Sequence, residues 1–285
     1  MNQLKGTGVA LVTPFQADLS IDFSALTKLV EHVIDGGVDY LVVLGTTGES
    51  ATQSREEKAA VLEHVKQVNR ERLPIVLGIG GNNTKAVANE IGAAELEGVS
   101  AILSASPYYN KPTQEGIYQH YKYLAENSPL PIILYNVPGR TASNITAETC
   151  LRLAKDFEKI IGIKEASGDL VQVMQIIKNR PKDFLLISGE DALTLPIIAC
   201  GGEGVISVVA NSQAQRYAKM VLQSRKGNLD QARMMHYELL DLIDLLFQEG
   251  NPGGVKAALK HQKICGDSMR LPLVNVSKSL EEKIA

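Results

Sequence analysis

Short apolar runs recur along the chain, and each gives way to glycine, proline or polar residues. Runs of this length, rich in Val, Ile and Leu, are typical of buried strands. Their spacing of roughly 20–35 residues is about that of one strand–helix unit. They predict eight strands, at residues 9–15, 40–44, 75–79, 101–105, 132–135, 160–164, 184–188 and 205–209.

Between these runs, apolar residues repeat with helical spacing. Residues 23–34 and 54–69 give the clearest patterns. Side chains that accept hydrogen bonds precede several helices, and glycines follow some of them. We predict N-caps at Asp22, Ser54, Thr84 and Thr146, and C-caps at Gly36, Gly37 and Gly98.

Eight alternating strand–helix units predict an α/β fold, a closed (β/α)8 TIM barrel. A doubly wound open sheet fits less well, because no Gly-x-Gly-x-x-Gly follows the first strand. After Val209 no further strand is evident, and residues 222–246 and 254–263 have helical patterns. We therefore expect a barrel over residues 1–222 and a C-terminal helical extension over residues 223–285.

Composition and charge narrow the class of protein. The length of 285 residues suits one large α/β domain, and the net charge of −3 offers no basic surplus for nucleic acid. The three cysteines are far apart and form neither a metal-binding spacing nor a disulfide framework. No apolar run is long enough to be a signal region or a membrane span. We expect a cytoplasmic, soluble protein.

Lys164 is the most informative residue, because it lies near the end of an apolar predicted strand. Removing an unpaired ammonium from water is costly, so burial favours the neutral amine. A neutral amine in a cleft is a nucleophile suited to Schiff-base formation with a carbonyl substrate. Two alternatives stay open: the side chain snorkels to solvent, or it is paired with a carboxylate.

Polar motifs follow three other predicted strands, where a barrel places its active site. Residues 45–50 read Gly-Thr-Thr-Gly-Glu-Ser, which offers backbone N–H groups and two hydroxyls to a small carboxylate. A glycine-rich turn with a capping threonine is the alternative. Residues 106–112 and 135–141 each combine tyrosine, proline and a cation. Tyrosine hydroxyls can relay protons for imine formation, and arginine can clamp a carboxylate.

Other chemistries fit less well. All five histidines lie in predicted helices, away from the strand ends. The seventh strand is followed by Gly189, Glu190 and Asp191, which is acidic where phosphate-handling barrels have an anion site. The pair Asp241 and Asp244 has the spacing of a solvated helix face.

Taken in order, these motifs resemble the dihydrodipicolinate synthase family of pyruvate-dependent class I aldolases. The resemblance rests on residues 45–49, 107–112, 135–141 and 162–168, and it extends to Asn251-Pro252 and Leu271-Pro272. It covers essentially the whole chain. It implies a TIM barrel that condenses pyruvate with L-aspartate 4-semialdehyde, the first committed step of diaminopimelate and lysine biosynthesis.

The resemblance also implies roles for individual residues. Lys164 would form the imine with pyruvate, which requires no separate cofactor and no metal. A proton relay would join Tyr135, Thr46 and Tyr109, with Tyr109 reaching into a neighbouring subunit. Substrate carboxylates would be held by Thr46 and Thr47 for pyruvate and by Arg140 for the aldehyde. Backbone groups near Gly189 and Ile206 would line the pocket. The implied assembly is a homo-oligomer, a tetramer of two tight dimers.

Two rival functions are weighed against this one. N-acetylneuraminate lyase is a sister Schiff-base aldolase, but its first motif usually reads Gly-Ser-Thr-Gly-Glu and it lacks the arginine that Arg140 matches. A non-catalytic barrel that senses a keto acid would not need every reactive residue.

One departure from the family concerns regulation. Lysine-inhibited members carry a regulatory site beside the first motif, and this chain keeps its Ser50, Ala51, Asn82 and Tyr108. It has Arg55 and Lys58 where histidines often stand, and Ala86 at the glutamate position. Two added cations and a lost carboxylate predict weak or absent inhibition by lysine. The alternative is that Lys85 or Glu90 lies off-register and another carboxylate substitutes.

Overall fold

The computed structural model describes residues 2–285 and confirms a closed barrel of eight parallel strands in sequential order. Each strand pairs with its neighbours in the chain, and the first also pairs with the eighth. The strands are β1 Gly6–Ala10, β2 Tyr40–Val43, β3 Ile75–Gly78, β4 Val99–Ala105, β5 Ile132–Asn136, β6 Ile160–Glu165, β7 Leu185–Ser188 and β8 Gly204–Ser207.

Helices alternate with the strands and then continue beyond them. Those of the barrel layer are α1 Phe23–Asp35, α2 Arg55–Asn69, α3 Thr84–Ala93, α4 Gln114–Asn127, α5 Pro138–Thr141, α6 Ala147–Asp156, α7 Leu170–Asn179, α8 Thr194–Ala199 and α9 Ala214–Arg225. The C-terminal extension contains α10 Leu229–Phe247, α11 Gly253–His261 and α12 Lys278–Ile284. Short 3-10 turns lie at Asn2–Leu4, Thr46–Gly48, Ser50–Thr52, Asp191–Leu193 and Val209–Asn211.

Alternate residues of the strands face two different layers. One set fills the barrel interior and includes Val42, Leu103 and Tyr135. The other set, which includes Leu134 and Ile163, packs against the surrounding helices. Since side chains alternate along a strand, Lys164 and Glu165 must point to opposite faces of β6.

The first strand begins earlier than the sequence predicts. It covers Gly6–Ala10 instead of residues 9–15, and the chain beyond Ala10 leaves the sheet toward Pro14. Gly6 and Gly8 conceal this strand in the sequence, because glycine has a low strand propensity. Their absence of a side chain is nevertheless required, because a Cβ on Gly8 would lie 2.1 Å from a ring carbon of Tyr40.

Most predicted helix caps are confirmed, but two are wrong. Asp22, Ser54 and Thr146 each accept a backbone N–H at the start of their helices, and Gly36 ends α1. Asn83, not Thr84, caps α3, because the Asn83 side chain accepts the N–H of Ala86. Gly98 is not a C-cap, since α3 already ends at Ala93 and Gly98 forms the turn before β4.

The predicted helix over residues 222–246 is in fact two helices. Gly227, with φ of 78°, separates α9 from α10. Helix α9 packs against β1 and β8 and is the eighth helix of the barrel. The boundary expected between residues 222 and 223 therefore falls inside α9. The helix expected at residues 254–263 is confirmed as α11, and α12 is an additional short helix.

Candidate active site

A cavity of about 550 Å³ opens at the C-terminal ends of the strands. Its lining includes Thr46, Thr47, Tyr135, Arg140 and Lys164. The cavity therefore brings together residues from the ends of three different strands. A larger surface hollow, of about 1230 Å³, lies at the opposite end of the barrel among residues of mixed charge. We assign the chemistry to the smaller cavity, because barrel active sites lie at the C-terminal end and Lys164 is there.

Lys164 is buried on the interior face of β6, with 6% of its surface exposed. Its Nζ lies 4.1 Å from the centre of the Tyr135 ring, which the pairing of β5 with β6 places directly beside it. In the described part of the chain, no carboxylate lies within 4.0 Å of this Nζ. The predicted alternatives of a snorkelling or a paired lysine are therefore wrong.

The neighbouring carboxylate of Glu165 faces away from the cavity. It accepts hydrogen bonds from Asn136 Nδ2, Gln172 Nε2 and the Ser167 N–H, at distances of 2.7 to 3.1 Å. Burial raises the pKa of Glu165, although these donors act in the opposite direction. The network joins β5, β6 and α7 directly behind the strand pair that carries Tyr135 and Lys164.

The first motif forms a tight turn at the rim of the cavity. Thr13 Oγ1 and Gln53 Nε2 each donate to the Gly48 carbonyl oxygen at 2.7 Å, which fixes the turn from below. Within residues 2–285 no partner is found for the N–H of Thr46 or Thr47. Two free N–H groups and two hydroxyls therefore lie together, as a carboxylate site requires.

Two predicted residues lie at the edge of the site. Arg140 is in the short helix α5, exposed at the cavity wall, where its five donors are available to a ligand. Tyr109 is 89% exposed and has φ of 71°, a conformation uncommon for residues other than glycine. Its side chain is not among those found to line the cavity of this single chain, whereas that of Tyr108 is.

Gly189 and Ile206 lie near the site but are not found in the cavity lining as described. The Gly189 N–H donates to the Glu165 carbonyl oxygen at 2.7 Å, and a Cβ on Gly189 would lie 2.6 Å from that of Ala166. Ile206 is buried in the interior of the barrel. Their proposed contribution through backbone groups stays a prediction.

The acidic loop after β7 has a structural role. Asp191 is buried and accepts hydrogen bonds from Ser207 Oγ and from the N–H groups of Val208 and Val209, which hold the end of β8. Burial and Asp191 raise the pKa of Glu190, while the charges of Lys164 and Arg140 oppose that rise. This negative charge makes the loop unsuitable as a phosphate site.

The C-terminal extension supplies contacts that were not anticipated from the sequence. Glu49 of the first motif is fully buried and pairs with Lys256 of α11 at 2.5 Å, and the Arg270 N–H donates to the same carboxylate. Asn251 donates to Thr47 Oγ1 at 2.9 Å. The available signal was Lys256 itself, an isolated cation among the small and apolar residues of α11, as Lys164 is in β6.

Comparison with known proteins decides the family. The model of the dihydrodipicolinate synthetase family matches residues 3–285. The chain belongs to this family. It is therefore an enzyme of the lyase-type class I aldolases, and the predicted family is confirmed.

Individual family members agree over the full length. The 4-hydroxy-tetrahydrodipicolinate synthase of Flavobacterium psychrophilum is 55% identical over 284 residues, which cover 100% of this chain and 97% of the relative. A monomeric dihydrodipicolinate synthase variant superimposes with a TM-score of 0.96 at 38% identity, covering 99% of this chain and 95% of the other. The lysine-bound enzyme of Cyanidioschyzon merolae gives 0.95 at 36% identity, with coverage of 99% and 96%. These similarities support the synthase over the sister lyase.

Neither a membrane-spanning helix nor a metal-binding cluster is found within residues 2–285. No helix there is both long enough and apolar enough to span a bilayer. No group of three or more His, Cys, Asp or Glu side chains has an arrangement that would hold a metal ion.

Proposed function

We propose that the chain condenses pyruvate with L-aspartate 4-semialdehyde through an imine on Lys164. The observation that carries this proposal is a buried lysine without a carboxylate partner, at the end of β6 in a cavity rich in hydroxyl groups. In the described chain no carboxylate pairs with the Lys164 nitrogen, which leaves it free to attack a carbonyl carbon in the cavity. Its setting in a member of this family supports the same chemistry.

The proposed reaction proceeds through an imine and an enamine on Lys164. The Lys164 nitrogen attacks the keto carbon of pyruvate, and loss of one water leaves the imine. Removal of a methyl proton then gives an enamine, whose carbon adds to the aldehyde carbon of the second substrate. Attack by the amino group of that substrate on the imine carbon closes the ring and releases Lys164.

The polar groups around Lys164 fit the needs of these steps. The tyrosine and threonine hydroxyls at Tyr135, Thr46 and Tyr109 would carry protons to and from the carbinolamine. Thr46 and Thr47 would bind the pyruvate carboxylate with their N–H and hydroxyl groups. Arg140, exposed at the wall, would bind the carboxylate of the aldehyde with two parallel hydrogen bonds.

Borohydride trapping tests this proposal. Borohydride reduces the imine to a stable secondary amine, so incubation with pyruvate should inactivate the enzyme and add one pyruvate-derived mass to the peptide containing Lys164. Lys164→Ala should show no adduct. An adduct on another lysine, or none, would contradict the mechanism. A coupled assay with L-aspartate 4-semialdehyde separates the synthase from a sister aldolase, which would not consume that aldehyde.

The exposure of Tyr109 supports an oligomer with shared active sites. Other apolar side chains are exposed here: Tyr108 lines the cavity, and Leu271 and Val274 flank the lining residues Pro272 and Leu273 in the chain. A second copy that covered this surface would bury them and bring its own Tyr109 to the cavity. We propose a homo-oligomer built from such dimers, with a tetramer as the complete assembly.

The contacts beside the first motif support weak regulation by lysine. Lys58 is paired with Glu90 at 3.1 Å, and Glu57 is bound by the Arg270 guanidinium, which lowers the pKa of Glu57 to about 2. The carboxylates of Glu57 and Glu90 are therefore both already engaged. A lysine ligand would therefore lack a free carboxylate among these two for its ammonium. One relative, by contrast, has been solved with lysine bound.

A further inference from the structure

The contact between the extension and the first motif ends on a hydroxyl group. Asn251 precedes α11, and its Nδ2 donates to Thr47 Oγ1 at 2.9 Å, across 204 residues of sequence. Both side chains are buried, and both line the cavity that holds Lys164. Asn251 is thus linked, through Thr47, to the place where a substrate carboxylate would bind.

The backbone of the first-motif turn is held without help from Asn251. Thr13 and Gln53 fix the Gly48 carbonyl oxygen, and the buried pair of Glu49 with Lys256 anchors the next residue. These contacts fix the backbone of the turn but leave the Thr47 hydroxyl free to rotate. Loss of the Asn251 amide would therefore let the Thr47 hydroxyl rotate freely, while the backbone of the turn stays in place.

The hydrogen bond from Asn251 also sets the direction of the Thr47 hydroxyl. A hydroxyl has one proton to donate and two lone pairs to accept with. Because the Asn251 N–H occupies a lone pair, the Thr47 proton is available to an acceptor in the cavity. In the described chain, Asn251 Oδ1 is buried and has no partner, which costs free energy. A purely structural role would not explain why Asn251 is kept at a position that carries this cost.

We propose that Asn251 is a positioning residue, which turns the Thr47 hydroxyl so that it donates to the carboxylate of the keto-acid substrate. This inference rests on the proposed function, in which Thr47 binds that carboxylate. Asn251 thereby makes the helical extension part of substrate recognition. Its effect should appear in the affinity for pyruvate and much less in the rate of the chemical steps.

Steady-state kinetics of Asn251 variants test the inference. Asn251→Ala should raise the KM for pyruvate about fivefold and change kcat by less than about twofold, since one hydrogen bond to a charged group is weakened. Asn251→Asp has the same shape but accepts the Thr47 proton and repels the carboxylate, so its KM should rise further, roughly 20-fold or more. Asn179→Ala, at an exposed asparagine at the end of α7, is the matched control.

A double-mutant cycle separates this role from a merely structural one. Thr47→Val should raise the KM for pyruvate by itself, and adding Asn251→Ala to it should have no further effect. Unchanged KM in both Asn251 variants, or additive effects in the cycle, would overturn the inference. If Asn251→Ala does not fold, the isosteric Asn251→Asp decides the question. Absence of a trapped imine on Lys164 in the unmodified enzyme would instead refute the proposed function.

Discussion

At the scale of single residues, two buried lysines show how surroundings decide chemistry. Lys256 is fully buried against Glu49, also donates to the Ser268 carbonyl oxygen, and lies 4.4 Å from the centre of the Phe15 ring. Lys164 is nearly as buried but is left with the Tyr135 ring and no counter-ion in the described structure. The paired lysine is structural, and the unpaired one is free to react.

This difference predicts that replacing Lys256 destabilises the fold far more than replacing Lys164. Lys256→Met should lower the free energy of unfolding by about 3–5 kcal/mol, because it leaves the Glu49 carboxylate buried without its partner. Lys164→Ala should change it by less than about 1 kcal/mol while it abolishes activity. Urea unfolding of both variants measures this. The double variant Glu49→Gln/Lys256→Met is the control and should recover much of the loss; equal destabilisation by both single variants would contradict the assignment.

The hydroxyl of Tyr135 gives a second prediction at this scale. Tyr135→Phe keeps the ring beside Lys164 Nζ and removes the group that would transfer protons. We expect kcat to fall roughly 100-fold, with the KM for pyruvate changed by less than about threefold. Tyr123→Phe, at an exposed tyrosine of α4, should leave both values unchanged. Similar losses in rate and affinity would mean that Tyr135 serves in packing.

At the scale of elements, periodicity could predict the barrel because each strand–helix unit is a local pattern. Two errors in element bounds involve glycine: Gly6 and Gly8 concealed β1, and Gly227 divided one expected helix into two. The site was predictable where its residues follow strands, as with Thr47 and Lys164. Asn251 and Lys256 escaped notice because their partners lie more than 200 residues away and depend on how the extension packs.

The contact between α3 and α4 predicts a dependence of stability on pH. His120 is buried beside Thr84, and burial lowers its pKa from 6.5 to about 4. The unfolded chain therefore takes up a proton below pH 6.5 that the folded chain refuses until about pH 4. The stabilisation is complete above pH 6.5 and is lost as the pH falls through this window.

The measurement compares free energies of unfolding at pH 7 and pH 5. His120→Gln should reduce the difference between them by about 1–2 kcal/mol relative to the unmodified protein. His261→Gln, at an exposed histidine of α11, should leave the difference unchanged. An unaltered pH dependence in His120→Gln would show that this histidine is protonated alike in both states.

At the scale of the whole molecule, the cavity of the single chain is open on one side, where the proposed assembly would place a second copy. The extension closes one side of the cavity with Pro272 and Leu273, but the side near Tyr109 is open. Leu271, which precedes the lining residue Pro272, is 75% exposed. A monomeric variant of dihydrodipicolinate synthase has the same fold as this chain. Assembly would therefore serve the site and its regulation more than the fold.

Regulation by lysine is the first prediction at this scale. An inhibition curve at saturating pyruvate should show no half-maximal effect at submillimolar lysine, because Arg55 and Lys58 add positive charge and Glu90 is already paired. The variant Lys58→His/Ala86→Glu removes one cation and supplies a carboxylate, so it should be inhibited at lower lysine concentrations. Strong inhibition of the unmodified enzyme would show that another carboxylate binds the ligand.

Sharing of Tyr109 between subunits can be tested by mixing two inactive variants. If Tyr109 acts in the neighbouring subunit, a dimer of one Lys164→Ala chain and one Tyr109→Phe chain contains one complete site, with Lys164 from the second chain and Tyr109 from the first. Random re-association should then restore about a quarter of the normal activity, since half of the dimers are mixed and each has one working site of two. If Tyr109 acts within its own chain, every site lacks one residue and no activity returns. Sedimentation of the same mixture should show dimers or larger assemblies, and a fully active monomer at micromolar concentration would rule out the shared site.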